Sequence, residues 1–299
     1  MLDVRRLRLL RELAHHGTIA AVAEALAFSP SAVSQQLSAL EREAGVPLLE
    51  RTGRRVALTP AGLNLVRHTE AVLERLEQAS SELAHARQGL AGPLRIGAYP
   101  SATRAIVPAA LAELAARHPG LEAMVTEVDP AAVAAALRAG ELDVALVHEY
   151  DLVPAEPEPG VAVTRPLFTE PMYLAARGAG TVAEQSGAPW IMAQPGTLCH
   201  QMALRACQAA GFTPRVRHQV DDFGTVLALV AVGQGVALVP HLGTAGGPPP
   251  GVTLTRLPMY RRTRAAFRAG AAAHPAVAAF TAALHSVVPA ELGGPRDTR

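Results

Sequence analysis

The sequence contains no lysine: all 27 of its basic residues are arginine, set against 26 acidic ones. A formal net charge of +1 excludes a chain-wide positive field, so any nucleic-acid contact has to come from a local patch. Only two cysteines occur, Cys199 and Cys207, too few for a disulfide framework and in keeping with a reducing compartment. No apolar core follows the first residues, Met1-Leu2-Asp3-Val4-Arg5-Arg6, which argues against a secretory leader. The longest apolar run, 226–240, is interrupted by Gly233-Gln234-Gly235 and is too short to span a bilayer. These absences make the cytoplasm the expected location, with no membrane association.

What is present is a globular composition, 49% hydrophobic and 18% charged, in a length suited to more than one domain. The first sixty residues read as three short helices and a hairpin. Leu7, Leu10 and Ala14 recur at helical spacing, and His16-Gly17 ends that helix. Thr18 caps a second helix. Ser29 caps a third, with Pro30 at its first position and Gly45 as its stop. Two strands, 48–51 and 56–59, flank Thr52-Gly53-Arg54.

Thr59-Pro60 then opens a long helix. Its stripe of Leu65, Thr69, Val72, Leu76, Ala79, Leu83, Ala86 and Leu90 alternates steps of four and three, the pattern of a two-helix seam. A helix laid on its own domain is the other reading; the charged opposite face favours the seam. Ala91-Gly92-Pro93 predicts a hinge. Beyond it, strands alternate with helices: strands at 94–98, 122–128, 142–147, 190–193, 216–220, 236–239 and 265–269, strand patterns with the breakers Pro166 and Pro171 over 161–175, and helices at 104–118, 131–139, 198–210, 223–232 and 275–288. This alternation predicts open, doubly wound α/β sheets, with 149–160 as a loop between two lobes. The expected division is 1–59 for a winged helix-turn-helix, 60–91 for a linker and dimerisation helix, 92–292 for a two-subdomain α/β domain, and 293–299 for a disordered tail.

The third helix is uncharged and polar at its start, which suits reading of a DNA major groove. Ser31, Ser34 and Gln35 lie near its exposed end; Gln can bond adenine through two hydrogen bonds, and Ser several base edges or phosphate. Thr18 and Pro30 join this face. Arg51, Arg54 and Arg55 cluster on the wing, where guanidinium groups would meet phosphates or a minor groove. Arg5, Arg6, Arg8 and Arg11 surround the first helix. Through His68, nine arginines face six acidic residues.

In the α/β segment, open sheets hold ligands beyond the carboxyl ends of their strands, near helix N-termini. Ser101, Ala102 and Thr103 follow the first strand, and Thr197 precedes a helix. His148 ends the third strand, and Asp222-Phe223 opens the helix after Val220. These seven are the candidate effector contacts. The hydroxyls of Ser101, Thr103 and Thr197 could donate to a ligand carboxylate, so the expected effector is a small polar or anionic metabolite; capping of their own helices is the other role open to them. No catalytic or metal constellation is legible. The eleven histidines include no His-x-x-x-His pair beside a glutamate, no Gly-x-Ser-x-Gly elbow occurs, and Gly233-Gln234-Gly235 lies between a helix and a strand, the wrong context for a dinucleotide loop. No cofactor is expected.

Residues 2–68 resemble the LysR-type transcriptional regulators. The resemblance rests on Gly17-Thr18, Val22-Ala23, Leu26, Ala32-Val33-Ser34, Leu40-Glu41, Gly45, Leu48-Leu49, Arg51, Leu58-Thr59 and Ala61-Gly62 in order. It continues in Gly140-Glu141-Leu142-Asp143-Val144-Ala145 and in 230–240. Val22, Leu49 and Pro30-Ser31 depart from the family's usual Ala, Phe and Gln-Pro. The resemblance implies a periplasmic-binding-protein-like effector domain, double-stranded DNA and RNA polymerase as partners, and a homodimer or homotetramer. It also implies an alternative, since peroxide-sensing members carry a redox pair close to the positions of Cys199 and Cys207, at a spacing unlike the eight residues here. An α/β small-molecule-binding protein or an enzyme is a further alternative.

Overall fold

The computed structural model describes residues 1–52, 55–86, 89–153, 157–164, 166–289 and Leu292; the side chains at 51, 52 and 55 lie outside that description. The expected wing tip at Arg54 and the expected tail at 293–299 also lie outside it. The chain divides into two compact units, 1–83 with 269–271, and 84–268 with 272–299.

The first unit opens with α1 (Val4–His16), α2 (Ile19–Ala25) and α3 (Pro30–Ala44). Each starts on a side-chain cap. Asp3 accepts from the amides of Arg5 and Arg6, Thr18 from Ala21, and Ser29 from Ala32. Gly17 and Gly45 end α1 and α3 in the left-handed region, at φ 73° and 70°. The apolar stripes of the three helices close on one core containing Leu10, Leu13, Val22, Val33, Leu37 and Leu40. An antiparallel hairpin of β1 (Leu49–Thr52) and β2 (Arg55–Leu58) follows, then the 26-residue α4 (Pro60–His85). Gly62 lets α4 pass the hairpin: a Cβ there would stand 2.3 Å from the Leu48 carbonyl oxygen, closer than any side chain tolerates. Along α4, Thr69 is buried, whereas Val72, Leu76 and Leu83 are 41%, 46% and 70% exposed. The helix stops at His85, so Ala86 and Leu90 fall beyond the predicted stripe.

The second unit is built on a seven-stranded mixed sheet. Its strands are β3 (Ala91–Ala98), β4 (Gly120–Glu127), β5 (Val144–Tyr150), β6 (Val161–Val163), β7 (Phe168–Ala176), β10 (Ala237–Pro240) and β11 (Thr253–Arg268). The order is β10-β7-β11-β5-β3-β4, with β6 also on β11. A parallel pair, β8 (Pro189–Met192) and β9 (Arg215–Gln219), is joined to it by a bridge from Trp190 to Val236. Helices α5 (Pro100–Ala105), α6 (Val107–Arg117), α7 (Pro130–Ala139) and α10 (Pro275–Val287) belong with the β3-β4-β5 lobe; α8 (Leu198–Ala209) and α9 (Phe223–Ala231) belong with the other. Strand β11 serves both lobes, since it pairs with β5 and with β7.

Three expectations need correction. Residues 91–93 form the first part of β3, not a hinge. Pro93 is tolerated there because only β4 pairs with this stretch, while β5 joins at Ile96 and Gly97. The single helix expected over 104–118 is two, broken at Ile106, because Pro108 has no N–H to bond the Arg104 carbonyl. The strand expected at 265–269 is the end of a sixteen-residue strand, whose Arg261 is buried and whose Arg264 is only half-buried.

One cross-strand pair fixes the centre of this sheet. Arg261 on β11 stands opposite Glu170 on β7, and both are at most 1% exposed. Arg261 Nε donates to Glu170 Oε1 at 2.7 Å, and the Leu242 amide donates to Oε2 at 2.6 Å. Removing one partner of a buried pair leaves an uncompensated charge. Glu170→Ala is therefore expected to lower the unfolding free energy by about 3–5 kcal/mol. Urea unfolding followed by the fluorescence of Trp190, the only tryptophan and buried in this unit, measures it. A loss too small to separate from wild type would mean that the pair is not what holds β7 to β11.

Candidate functional site

Two surfaces carry the candidate residues. In the first unit, Pro30, Ser31, Ser34 and Gln35 are exposed along the N-terminal half of α3, while Val33 and Leu37 of the same turns are buried. Burial of one stripe fixes the roll of the helix and so aims this polar face outward. Ser31 is not wholly free: its hydroxyl lies 3.0 Å from that of Ser29. Thr18 is exposed, but its Oγ1 accepts the Ala21 amide as a cap. Ala27, in the turn between α2 and α3, takes φ 54°, a conformation that costs a non-glycine residue energy. The arginines around α1 divide. Arg6 pairs with Glu43, and the buried Arg11 pairs with Glu12, so neither is a free cation; Arg5 and Arg8 remain exposed. Arg51 and Arg55 lie on the two hairpin strands.

In the second unit a cavity of about 260 Å³ opens between the lobes. It sits where strand order reverses, since β4 and β5 flank β3 on opposite sides, and the carboxyl end of β3 delivers Tyr99, Pro100 and Ser101 to its wall. Of the seven predicted contacts, Ser101, His148, Thr197, Asp222 and Phe223 line the cavity. Ala102 and Thr103 do not. Ala102 is fully buried, and Thr103 points its hydroxyl back at the Tyr99 carbonyl, 3.3 Å away. Within the six-residue α5, Pro100, Ser101 and Arg104 take the places that face the cleft. Thr197 spends its hydroxyl locally: it accepts from His200 N and donates to the Gln194 carbonyl. Asp222 caps α9 through the Thr225 amide and stands 3.8 Å from Arg104. Those contacts, the amide first, hold its carboxyl below the ordinary range.

The lining that sequence reasoning missed comes from scattered positions: Tyr99, Arg104, Glu127, Asp129, Asp221 and Arg261, with Cys199 considered only as a redox residue. Arg261 closes the floor. Its Nη2 donates to Ser101 Oγ at 2.9 Å, and its guanidinium lies over the Tyr99 ring, 4.8 Å from the centroid. His148 is 5% exposed, and neither ring nitrogen has a hydrogen-bond partner. Burial, then the charge of Arg261, pushes its pKa well below the ordinary value, so the imidazole is neutral. Tyr99 and Tyr150 meet its ring edge-on at 4.6 and 5.2 Å. Cys199 Sγ lies 3.0 Å from Tyr150 Oη, and burial raises its pKa. Cys207 is fully buried in the apolar core beside Trp190 and Met202, which pushes its thiol up to about 12. Both thiols are free. Among the described residues no group of three metal-binding side chains occurs, and no helix is long and apolar enough to cross a membrane.

Comparison with known proteins covers both segments of the chain. Residues 4–63 match the model of the bacterial regulatory helix-turn-helix protein, lysR family, and residues 87–289 match the LysR substrate binding domain. Neither is an enzyme family. A probable hydrogen peroxide-inducible genes activator of Mycobacterium avium is 32% identical over 79% of this chain and 76% of its own length. The DNA-binding transcriptional dual regulator OxyR of Escherichia coli is 30% identical, over 81% of this chain and 80% of its own. Among solved structures, a mutant of Corynebacterium glutamicum OxyR superposes with a TM-score of 0.58 at 25% identity, covering 96% of this chain and 92% of that one. The chain belongs to the LysR family and is a DNA-binding transcriptional regulator.

Proposed function

We propose that Pro30, Ser31, Ser34 and Gln35 on α3, with Thr18 and the hairpin arginines Arg51, Arg54 and Arg55, form the operator-reading surface, and that the interlobe cavity holds the small molecule that modulates it. The exposed polar face of α3, set by a buried apolar stripe and a capped N-terminus, carries the first half of the reading. The cavity at the strand-order reversal supports the second, through Ser101, His148 and Phe223. It binds and releases a ligand instead of converting one. The division into a DNA-binding segment 1–59, a linker 60–91 and an effector segment 92–292 belongs to this reading. RNA polymerase is the partner that the DNA-bound regulator would address.

The exposed Val72, Leu76 and Leu83 of α4 support pairing with a second copy, because an apolar stripe on a charged helix is covered in a stable protein. A dimer so formed would read a partly palindromic site. A second reading, thiol-based sensing, is favoured by one observation: Cys199 lines the cavity, and similar proteins, that of Mycobacterium avium among them, are described as hydrogen peroxide-inducible genes activators. A direct link to Cys207 demands a rearrangement. Eight residues on one helix are separated by about 12 Å along its axis, whereas bridged Cα atoms lie within about 7 Å. A Cys199–Cys207 disulfide therefore requires α8 to unwind.

Three measurements test these readings. Binding to the region upstream of the protein's own gene, titrated at two salt concentrations against an unrelated duplex, should be specific. Arg54→Ala should weaken both duplexes and lower the salt slope by about one, while Gln35→Ala should cost about 1–3 kcal/mol at one base pair; an unaltered slope would reject the hairpin assignment. Leu76→Glu should shift the sedimentation of the full chain toward monomer; an unchanged distribution would remove α4 as the seam. Peroxide should alter the footprint of the wild type but not of Cys199→Ser under the thiol reading. An identical response from both proteins excludes it.

A further inference from the structure

The effector cavity carries an excess of negative charge. Four carboxylates line it, Glu127, Asp129, Asp221 and Asp222, against two guanidiniums, Arg104 and Arg261. Neither guanidinium is free. Arg261 is matched by the buried Glu170 directly behind it, and Arg104 lies 3.8 Å from Asp222. Helix N-termini by themselves favour an anion. Three of those at this cavity are already filled by the chain, since Asp129 caps α7, Thr197 caps α8 and Asp222 caps α9; the six-residue α5 has no side-chain cap. Glu127 has no hydrogen-bond or ion-pair partner among the described residues, and Asp221 is met by one backbone amide, that of Gln194.

His148 is an independent sign of what enters. It is a polar side chain, 95% buried, that faces the cavity with both ring nitrogens unpartnered. A neutral imidazole offers one donor and one acceptor and adds no positive charge to hold an anion. Leaving both nitrogens dry costs free energy that a ligand with a hydroxyl or amine group would recover.

We propose that the ligand of this cavity is a small cation, an amine of a few carbon atoms carrying a second hydrogen-bonding group. Its ammonium sits among Glu127, Asp129 and Asp221, and its polar group reaches His148. The proposal rests on the cavity being the effector site. An anion of the same size would lose its water without gaining a free cation.

The test titrates the full-length protein by calorimetry with four compounds sharing a four-carbon chain: putrescine, aminobutanol, butanediol and succinate. The amines should bind at millimolar concentration and more weakly in added salt; succinate should not bind. Glu127→Gln with Asp221→Asn should weaken amine binding about tenfold and leave the melting temperature of the free protein unchanged. Glu127→Gln alone, at an exposed residue with no partner, should weaken it in the same direction should the double variant fold poorly. Succinate or butanediol binding as tightly as the amines overturns the charge inference and leaves the effector site standing. Amine binding indifferent to both variants overturns it by locating the amine elsewhere. Binding by none of the four overturns both the inference and the effector reading of this cavity.

Discussion

Burying a guanidinium and a carboxylate together is costly, and the attraction between them repays that cost only where the remaining polar atoms are also satisfied. Arg261 and Glu170 meet that condition. The carboxylate accepts from Arg261 with one oxygen and from the Leu242 amide with the other; the guanidinium has a second acceptor in Ser101 and a ring face in Tyr99. These contacts tie four parts of the chain to one point: β7, β11, the start of α5 and the turn after β10. The floor of the cavity is thus a by-product of the sheet's central ion pair. The same pairing removes Arg261 from the list of cations that could hold a ligand, while burial, reinforced by the Arg261 charge, keeps His148 neutral.

The local part of this fold is legible in the sequence. The Asp3 cap is not marked by the pattern, but Thr18, Ser29-Pro30 and Gly45 set the three helices of the first unit to within a residue or two of where they lie. Each acts on amides or carbonyls within a few positions of itself, so the spacing alone carries the information. The polar face of α3 followed from the same arithmetic. The arginines of α1 show its limit: Arg6 and Arg11 look like free cations in sequence, yet each finds a carboxylate in its own unit.

The cavity was only half legible, for the opposite reason. Its position at the carboxyl ends of strands follows from topology, and that rule brought Ser101, His148, Thr197, Asp222 and Phe223 forward. Its charge depends on pairs far apart in sequence. Glu170 and Arg261 are 91 residues apart, and nothing in Arg256, Arg261, Arg262 and Arg264 marks which one turns inward. That register also hid β11, whose alternating arginines read as a polar segment although its inner face is buried. The departure at Pro108 was local and could have been read, since a proline there denies Arg104 a helical partner.

A regulator's ligand has to interact differently with two arrangements of the protein, or it shifts nothing. The cavity wall meets that requirement by construction. Tyr99, Ser101, Glu127 and His148 belong to one lobe, Thr197, Cys199, Asp221 and Phe223 to the other, and Arg261 to the strand they share. A molecule touching both walls gains more from a closed cleft than from an open one, and its differential affinity becomes a bias on the angle between lobes. Because β5, β7 and β11 run through the junction as paired strands, that bias is borne by a continuous sheet and not by a loose hinge. Coupling of this kind typically amounts to about 1–3 kcal/mol, which one charged contact to Glu127 or Asp221 and one recovered hydrogen bond at His148 together can supply.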